Sequence, residues 1–459
     1  MSLRHYKDLR TTQFHSVPTP VVFAIATVLI LLWASSGFET IQKAIILVIW
    51  IVLAILVLFF PILGLGLTIA SSAITDVLPN TPFASSFVPI IGVITLVAFL
   101  FQNRRRPIGR VRVSKVEIIG LIWIIWIIIS NLQASLHGSN RTWIFTLVQV
   151  WVLAWLARNF VRNINDHYTI MFILAFGILI SAVSVVLQQG VGTLDLADRA
   201  IGLSDGANTA ARYFIYGIVL LSLIQGQRTI KPIWRAFGLV SIFILLMALV
   251  YTGSRTGIFL LAVMVLILIS QRSLIGRRGS IVLWLILIVG IIWYLREVSG
   301  TVLEPSQIFK SIVLGSDTIG YRYDLWRAGW AMWLDHPLAG VGIGQFGNFL
   351  AMYWKTSLPI RANTPHSSYL QVLAETGVIG FILFCGMLVG TLHNFWQRAH
   401  SGNAEIAAIN WIWLAILVLL LIGSLTKTDM IDKLFWFLLG LSANNPIRES
   451  VSEAAVYSH

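Results

Sequence analysis

The chain has 459 residues, of which 57% are hydrophobic and 11% charged, with a formal net charge of +13. Soluble domains carry about a quarter charged residues, so this composition excludes a water-soluble globule and makes lipid the solvent for most of the chain. The basic residues lie between apolar runs and form no single stripe interleaved with aromatics, which excludes a nucleic-acid surface.

In chain order, Arg4, Lys7 and Arg10 precede a first apolar stretch that resembles a signal peptide. It offers no convincing small-residue cleavage site and more spans follow it, so it is read as retained. Membrane-crossing segments are expected near 21–35, 41–60, 62–74, 87–102, 117–132, 142–157, 168–189, 212–225, 236–252, 257–270, 281–296, 376–395 and 407–425, with a weaker short candidate near 434–441. The runs Ile118 to Ile129, Ile281 to Ile292 and Leu414 to Ile422 are apolar on every side. With their flanks they approach the roughly 20 residues that cross a bilayer as a helix. Backbone groups in lipid must bond internally, and continuous apolar runs do not fit the alternation of a barrel, so the spans are helical. The expected fold is an all-α polytopic membrane protein of about 12–14 transmembrane helices.

The connecting segments sort by charge. Arg104, Arg105, Arg106, Arg110, Arg112, Lys115, Arg158, Arg162, Arg228, Lys231, Arg235, Arg272, Arg277, Arg278 and Arg398 fall on one side, together with the basic N-terminus. The positive-inside rule makes that side cytoplasmic. The opposite side receives short loops near 75–86, 133–141 and 190–211, and one long segment from Glu297 to Glu375. Long connections among short-looped spans are usually functional. The chain thus divides into transmembrane helices over 1–296, a large outer loop over 297–375 and C-terminal helices with a short tail over 376–459. Within the loop, Tyr323, Leu325, Trp326, Trp330, Met332, Trp333 and Leu334 form an aromatic-rich amphipathic stretch, expected as one or two helices at the membrane surface. No internal repeat is visible. The single Cys385 falls in a predicted span and reads as a small buried apolar residue.

Arginines on the outer side run against the charge rule. Arg199 opens Arg199-Ala200-Ile201-Gly202-Leu203, followed by Asn208; Arg255 sits in Gly253-Ser254-Arg255-Thr256-Gly257, a tight break between spans; Arg322 begins Arg322-Tyr323-Asp324-Leu325-Trp326-Arg327. A guanidinium stays charged when partly desolvated, and its planar fork suits phosphate or pyrophosphate. The alternative is snorkelling to headgroups or pairing with Asp324 or Asp317. His366, in Asn363-Thr364-Pro365-His366-Ser367-Ser368-Tyr369-Leu370-Gln371, has a side chain able to accept a hydroxyl proton near neutral pH. The spacing of His366, Tyr369, Leu370, Leu373 and Gly377 is helical, and Pro365 would fix His366 near the helix start. Gly342-Ile343-Gly344-Gln345-Phe346-Gly347 matches GxGxxG formally, but no strand-helix-strand unit surrounds it, so it is expected as a close-packed turn. Outer carboxylates are scattered, and neither a metal nor another cofactor is expected.

The chain resembles the superfamily of bacterial O-antigen ligases and polymerases over roughly residues 195–385. The resemblance rests on Arg199-x-x-Gly202 with Asn208 downstream, Gly253-Ser254-Arg255-Thr256-Gly257, and Arg322-x-x-x-Trp326 leading to His336-Pro337-Leu338-Ala339-Gly340-Val341-Gly342. Its strongest piece is Pro365-His366-Ser367-Ser368-Tyr369-Leu370-Gln371 with Glu375-Thr376-Gly377-Val378-Ile379-Gly380. The resemblance implies a GT-C-type fold and metal-independent transfer of a glycan from undecaprenyl pyrophosphate to a sugar hydroxyl at the periplasmic face of the inner membrane. It further implies that Arg255 and Arg322 bind the pyrophosphate, with Arg199 a further arginine of the pattern, and that His366 is the base. Asn208, Tyr369 and Asp324 are supporting candidates. Transfer to lipid A core oligosaccharide, as by a ligase, is the leading expectation. Extension of a lipid-linked glycan, as by a polymerase, is the alternative, and a lipid-linked oligosaccharide transporter is the reading of another class.

Overall fold

A computed structural model of the chain describes residues 51–74, 87–103, 113–133, 138–187, 200–226, 231–270, 316–356, 359–360 and 362–444. The expected spans at 21–35 and 281–296 and the residue Arg199 lie outside these residues.

The protein is an all-α membrane protein, with no β-strand among the described residues. After a helical stretch at 51–59 come α1 (Pro61–Ala70), α2 (Phe87–Asn103), α3 (Lys115–Gln133), α4 (Gly138–Phe160), α5 (Ile164–Leu187), α6 (Ala207–Gly226), α7 (Pro232–Tyr251) and α8 (Arg255–Ser270). The former outer segment contributes α9 (Ser316–Asp335) and α10 (Phe346–Tyr353); α11 (Ser368–Ala399), α12 (Ala404–Gly423) and α13 (Lys433–Ser442) follow. Among the described residues five helices are long and apolar enough to cross a membrane: the Arg141–Phe160 part of α4, then α5, α7, α11 and α12. A 20-residue helix rises about 30 Å, the thickness of the hydrocarbon layer. Ile118, Leu121, Ile122, Ile125, Ile128 and Ile129 of α3 are exposed, as expected of a surface that meets lipid.

Local chemistry sets the helix ends. Ser114 and Glu117 bond each other's backbone N–H groups at 3.1 and 2.7 Å, a capping box that starts α3. The Asn403 carboxamide oxygen accepts from the N–H groups of Glu405 and Ile406, and the Asp432 carboxylate from those of Leu434 and Phe435. Pro61 and Pro232 occupy first-turn positions, where the missing N–H has no partner to lose. Inside the bundle, Thr68, Thr95 and Thr391 return their hydroxyls to the carbonyl four residues back, so these buried hydroxyls have a partner without water.

The weaker short candidate near 434–441 is a helix. Only ten residues long, α13 rises about 15 Å. It is buried from Leu434 to Ser442 and packs on α4, α3 and α11. Trp436 stacks toward Trp123 with centroids 6.2 Å apart, and Phe435 lies 6.0 Å from Phe384.

Polar contacts define the two ends of the bundle. At one end Arg158 pairs with Glu117 at 2.6 Å, Tyr168 donates to Glu405 at 3.1 Å, and Arg398 donates to the carbonyls of Leu441, Ser442 and Asn444. At the other end lie Asn208, Ser254, His366 and Lys427. The sorting of loops by charge likewise puts Arg158 and Arg398 on one side and the segments holding Asn208, Arg255 and His366 on the other.

In the outer segment, Leu325, Ala328 and Met332 of α9 form a small core of their own with Val341, Phe346, Leu350 and Ala374. The opposite face of α9 exposes Tyr323, Trp326, Trp330 and Leu334, so the aromatic stretch is amphipathic as read.

Candidate active site

The His366 turn differs from the expectation. α11 begins at Ser368, ahead of the 376 boundary read from hydropathy, and Ser367 is its N-cap, its hydroxyl accepting from Leu370 N–H at 3.5 Å. His366 therefore stands outside the helix, with a left-handed φ of 51°, the sole non-glycine residue with positive φ among those described. Non-glycine residues adopt this region rarely, and it costs about 1–2 kcal/mol per residue. The hydroxyl-rich cap explains the difference: a serine N-cap needs extended φ/ψ, so the helix cannot include the residue before it.

Three segments hold this turn. Trp326 of α9 donates its indole N–H to the Pro365 carbonyl at 3.0 Å. The Ser368 N–H and hydroxyl both donate to the Lys427 carbonyl, at 3.2 and 3.0 Å. The Asp429 N–H donates to the Ser368 hydroxyl at 2.7 Å. The imidazole is half-buried, and its pKa lies below the ordinary histidine value, first because of burial and then because of the positive charges of Arg322 and Lys427. A base kept neutral beside two cations suits proton abstraction next to an anionic group.

Arg322 and Trp326 sit one turn apart on α9, so the indole bond that fixes Pro365 also fixes the helix that carries Arg322 toward His366. Asp324 is half-buried on the same helix.

α9 itself is set in place by a break in α11. Gly377 interrupts that helix with φ 66°, and a Cβ there would lie 2.1 Å from the Leu338 carbonyl oxygen. Gly340, φ 69°, is the matching half: its Cβ would lie 2.4 Å from the Glu375 backbone carbon. Only glycines permit both the conformation and the approach. Across the break Val341 N–H donates to Ala374 O at 2.9 Å, Gly342 N–H to Glu375 O at 3.0 Å and Val378 N–H to Pro337 O at 2.8 Å. The Trp126 indole N–H takes the Thr376 carbonyl at 2.9 Å, and the buried Glu375 carboxylate accepts from Phe346 N–H at 3.0 Å and from Gln371 at 3.2 Å. The His336–Gly342 and Glu375–Gly380 motifs are thus two sides of one joint, and the formal GxGxxG is the close-packed turn beside it.

Arg255 begins α8 and is exposed. Its neighbour Ser254 accepts from Gly257 N–H at 3.0 Å and donates to the Asn208 side-chain oxygen at 2.7 Å. Asn208 thereby holds the arginine loop. The next residue, Thr209, bonds the Lys427 ammonium through its hydroxyl, and Asp205 lies 3.3 Å from the same ammonium. A chain of bonds therefore runs from the Arg255 loop through the 205–209 segment and Lys427 to Ser368 and the His366 turn. Tyr369, by contrast, donates its hydroxyl to Leu421 O at 2.9 Å and packs 6.4 Å from Phe384, so it joins α11 to α12.

The sequence reading passed over Arg212, Lys427 and Asp429. Arg212, buried on α6, pairs with Asp429 at 2.7 Å; the Ser424 hydroxyl also donates to Asp429, and Tyr213 to Asp432. Gly423 leaves the room: a Cβ there would be 2.7 Å from the Arg212 side-chain nitrogen. The signal was present, since Lys427, Asp429, Asp432 and Lys433 crowd a short break between apolar segments on the side where cations need a reason.

No curated protein matches the chain. Residues 240–385 match the family model described as O-antigen ligase, a stretch that holds Arg255, Arg322 and His366 but neither Asn208 nor Lys427. That stretch contains the histidine turn and the joint that seats it, and its match supports the resemblance to the superfamily of O-antigen ligases and polymerases.

Proposed function

We propose that this protein is a ligase-type glycosyltransferase. It would take a glycan from undecaprenyl pyrophosphate and attach it to a sugar hydroxyl of lipid A core oligosaccharide, at the periplasmic face of the inner membrane. The observation that carries the reading is the His366 turn, a half-buried imidazole held below its ordinary pKa with Arg322 and Lys427 bearing on it.

In this reading the acceptor hydroxyl attacks the anomeric carbon and gives its proton to His366. The bond from that carbon to the pyrophosphate oxygen breaks, and undecaprenyl pyrophosphate leaves with the bonding pair. Attack from the face opposite the leaving group inverts the carbon. Arg255 and Arg322, with Arg199 as a third candidate, stabilise the charge that develops on the pyrophosphate, which is the kind of preorganised electrostatic contribution that dominates many enzymes. Helices α9 and α10 roof the sugars while the lipid tail stays between helices. The donor supplies the free energy, and no cofactor enters.

Purified protein with lipid-pyrophosphate donor and core oligosaccharide acceptor tests this. Release of undecaprenyl pyrophosphate together with glycosylated acceptor is expected. Donor binding without release would convert the reading to a transporter. In a deletion strain, full-length polymer stranded on the lipid carrier is expected; single repeat units attached to core would instead make the protein a polymerase.

A further inference from the structure

We propose that Lys427 is a positioning residue for this transfer, coupling the His366 turn to the loop that holds Arg255. The proposal rests on the glycosyltransferase reading above and adds a residue outside the segment matched by the family. Lys427 works with both its backbone and its side chain. Its carbonyl accepts two bonds from Ser368, the first residue of α11 and the second after His366. Its ammonium reaches Asp205 at 3.3 Å and bonds Thr209, and Thr209 follows the Asn208 that holds Ser254.

The strap that carries Lys427 is fixed from below. Asp429 pairs with Arg212 at 2.7 Å with both side chains about 5% exposed, and Asp432 caps α13 and accepts from Tyr213 at 3.0 Å. Lys427 itself is less sheltered, its side chain 26% exposed against 54% for Asp205. The ammonium is therefore held by a partner that water reaches, beside the site and not inside the bundle.

The charged groups around His366 come from each packed element: Arg322 from α9, Lys427 from the strap, Asp205 facing Lys427 from the 200–206 loop, and the Arg212–Asp429 pair beneath. The charges of Arg322 and Lys427 both disfavour the imidazolium, and Lys427 has a carboxylate partner in Asp205. Removing the Lys427 charge favours the imidazolium; removing the Asp205 charge leaves the ammonium uncompensated and disfavours it.

The test uses the full chain in detergent, with Lys427→Met, Lys427→Arg and Asp205→Asn beside the wild type. Two readouts are taken: the pH profile of transfer from lipid-pyrophosphate donor, and the His366 imidazole titration by NMR, assigned by its loss in His366→Ala. Lys427→Met should lower kcat by about 10²-fold, the scale of a small misplacement, with donor KM little changed. The acid limb and the His366 pKa should both rise in Lys427→Met, stay near wild type in Lys427→Arg, and fall in Asp205→Asn. A fold-only role would lower activity in all variants without these opposite shifts, and that result would overturn the proposal. So would a rise in donor KM with an unmoved acid limb, which would make Lys427 a donor contact. If wild type shows no transfer, the glycosyltransferase reading fails, while the NMR titration still decides whether Lys427 and Asp205 act on His366.

Discussion

The two ends of the bundle treat their cations and histidines differently. At the Arg158 end three such groups meet fixed protein partners. Arg158 is on Glu117, Arg398 is on the last carbonyls of α13, and the buried His167 accepts the Trp413 indole N–H at 3.1 Å. At the His366 end the roles divide. Arg212 and Lys427 are paired with Asp429 and Asp205, whereas Arg255 is exposed at a helix start and makes no ion pair among the described residues. His366 sits in a left-handed turn with two cations acting on it. Buried charge needs a partner when it only supports structure, and on the proposed reading the exposed Arg255 is kept for the ligand.

That contrast can be broken or sharpened by substitution. The largest effect should come from His366→Ala, a loss of about 10²–10⁴ in kcat with donor binding largely kept, read by initial rates and donor titration. The histidine pKa is lowered, so the neutral base persists to lower pH and the wild-type rate should fall only below about pH 6.5, the ordinary value. An acid limb above that value would remove the assignment. Arg212→Met leaves Asp429 buried without its counterion and should cost about 3–5 kcal/mol of stability, read by thermal unfolding in detergent. Arg255→Ala and Arg322→Ala should each lower kcat/KM for the donor by about 10²–10³ while the fold persists by the same thermal assay. If these two instead behave like Arg212, melting without a specific donor defect, the division between scaffold and site is wrong. Asn208→Ala frees the Ser254 hydroxyl and should raise donor KM by an amount worth about 1 kcal/mol. The smallest effect is expected for Tyr369→Phe, which loses the bond to Leu421 O: about 1 kcal/mol of stability or less, with kcat unchanged. A large kcat defect there would return Tyr369 to the site.

The helical fold was legible because lipid permits few backbone solutions, and apolar runs of spanning length declare themselves. Two elements were harder to read. The ten-residue α13 is too short for a hydropathy window, yet it is buried on all sides by neighbours no local pattern announces. The start of α11 was misplaced because helical spacing continues back through His366, while the Ser367 cap and the Lys427 carbonyl, 59 residues from Ser368 in the chain, make the helix begin after it. Among site candidates, Asn208 proved to brace the Arg255 loop and Tyr369 to join two helices, a distinction that depends on partners and not on residue type.

By itself the amino-acid sequence determined the solvent of the chain, its helical class, the sorting of its loops by charge and the residue types available at one face. Composition, span length and the cost of burying charge are local or additive, so they can be read along a line. The tertiary structure alone decided that the His336–Gly342 and Glu375–Gly380 motifs form a single glycine joint. It alone decided that Arg212 pairs inside the bundle, and that a lysine after α12 bonds the turn that carries the histidine before α11. Those facts depend on contacts between residues far apart in the chain, where the price of a left-handed turn or a buried ion pair is set by whatever packs against it.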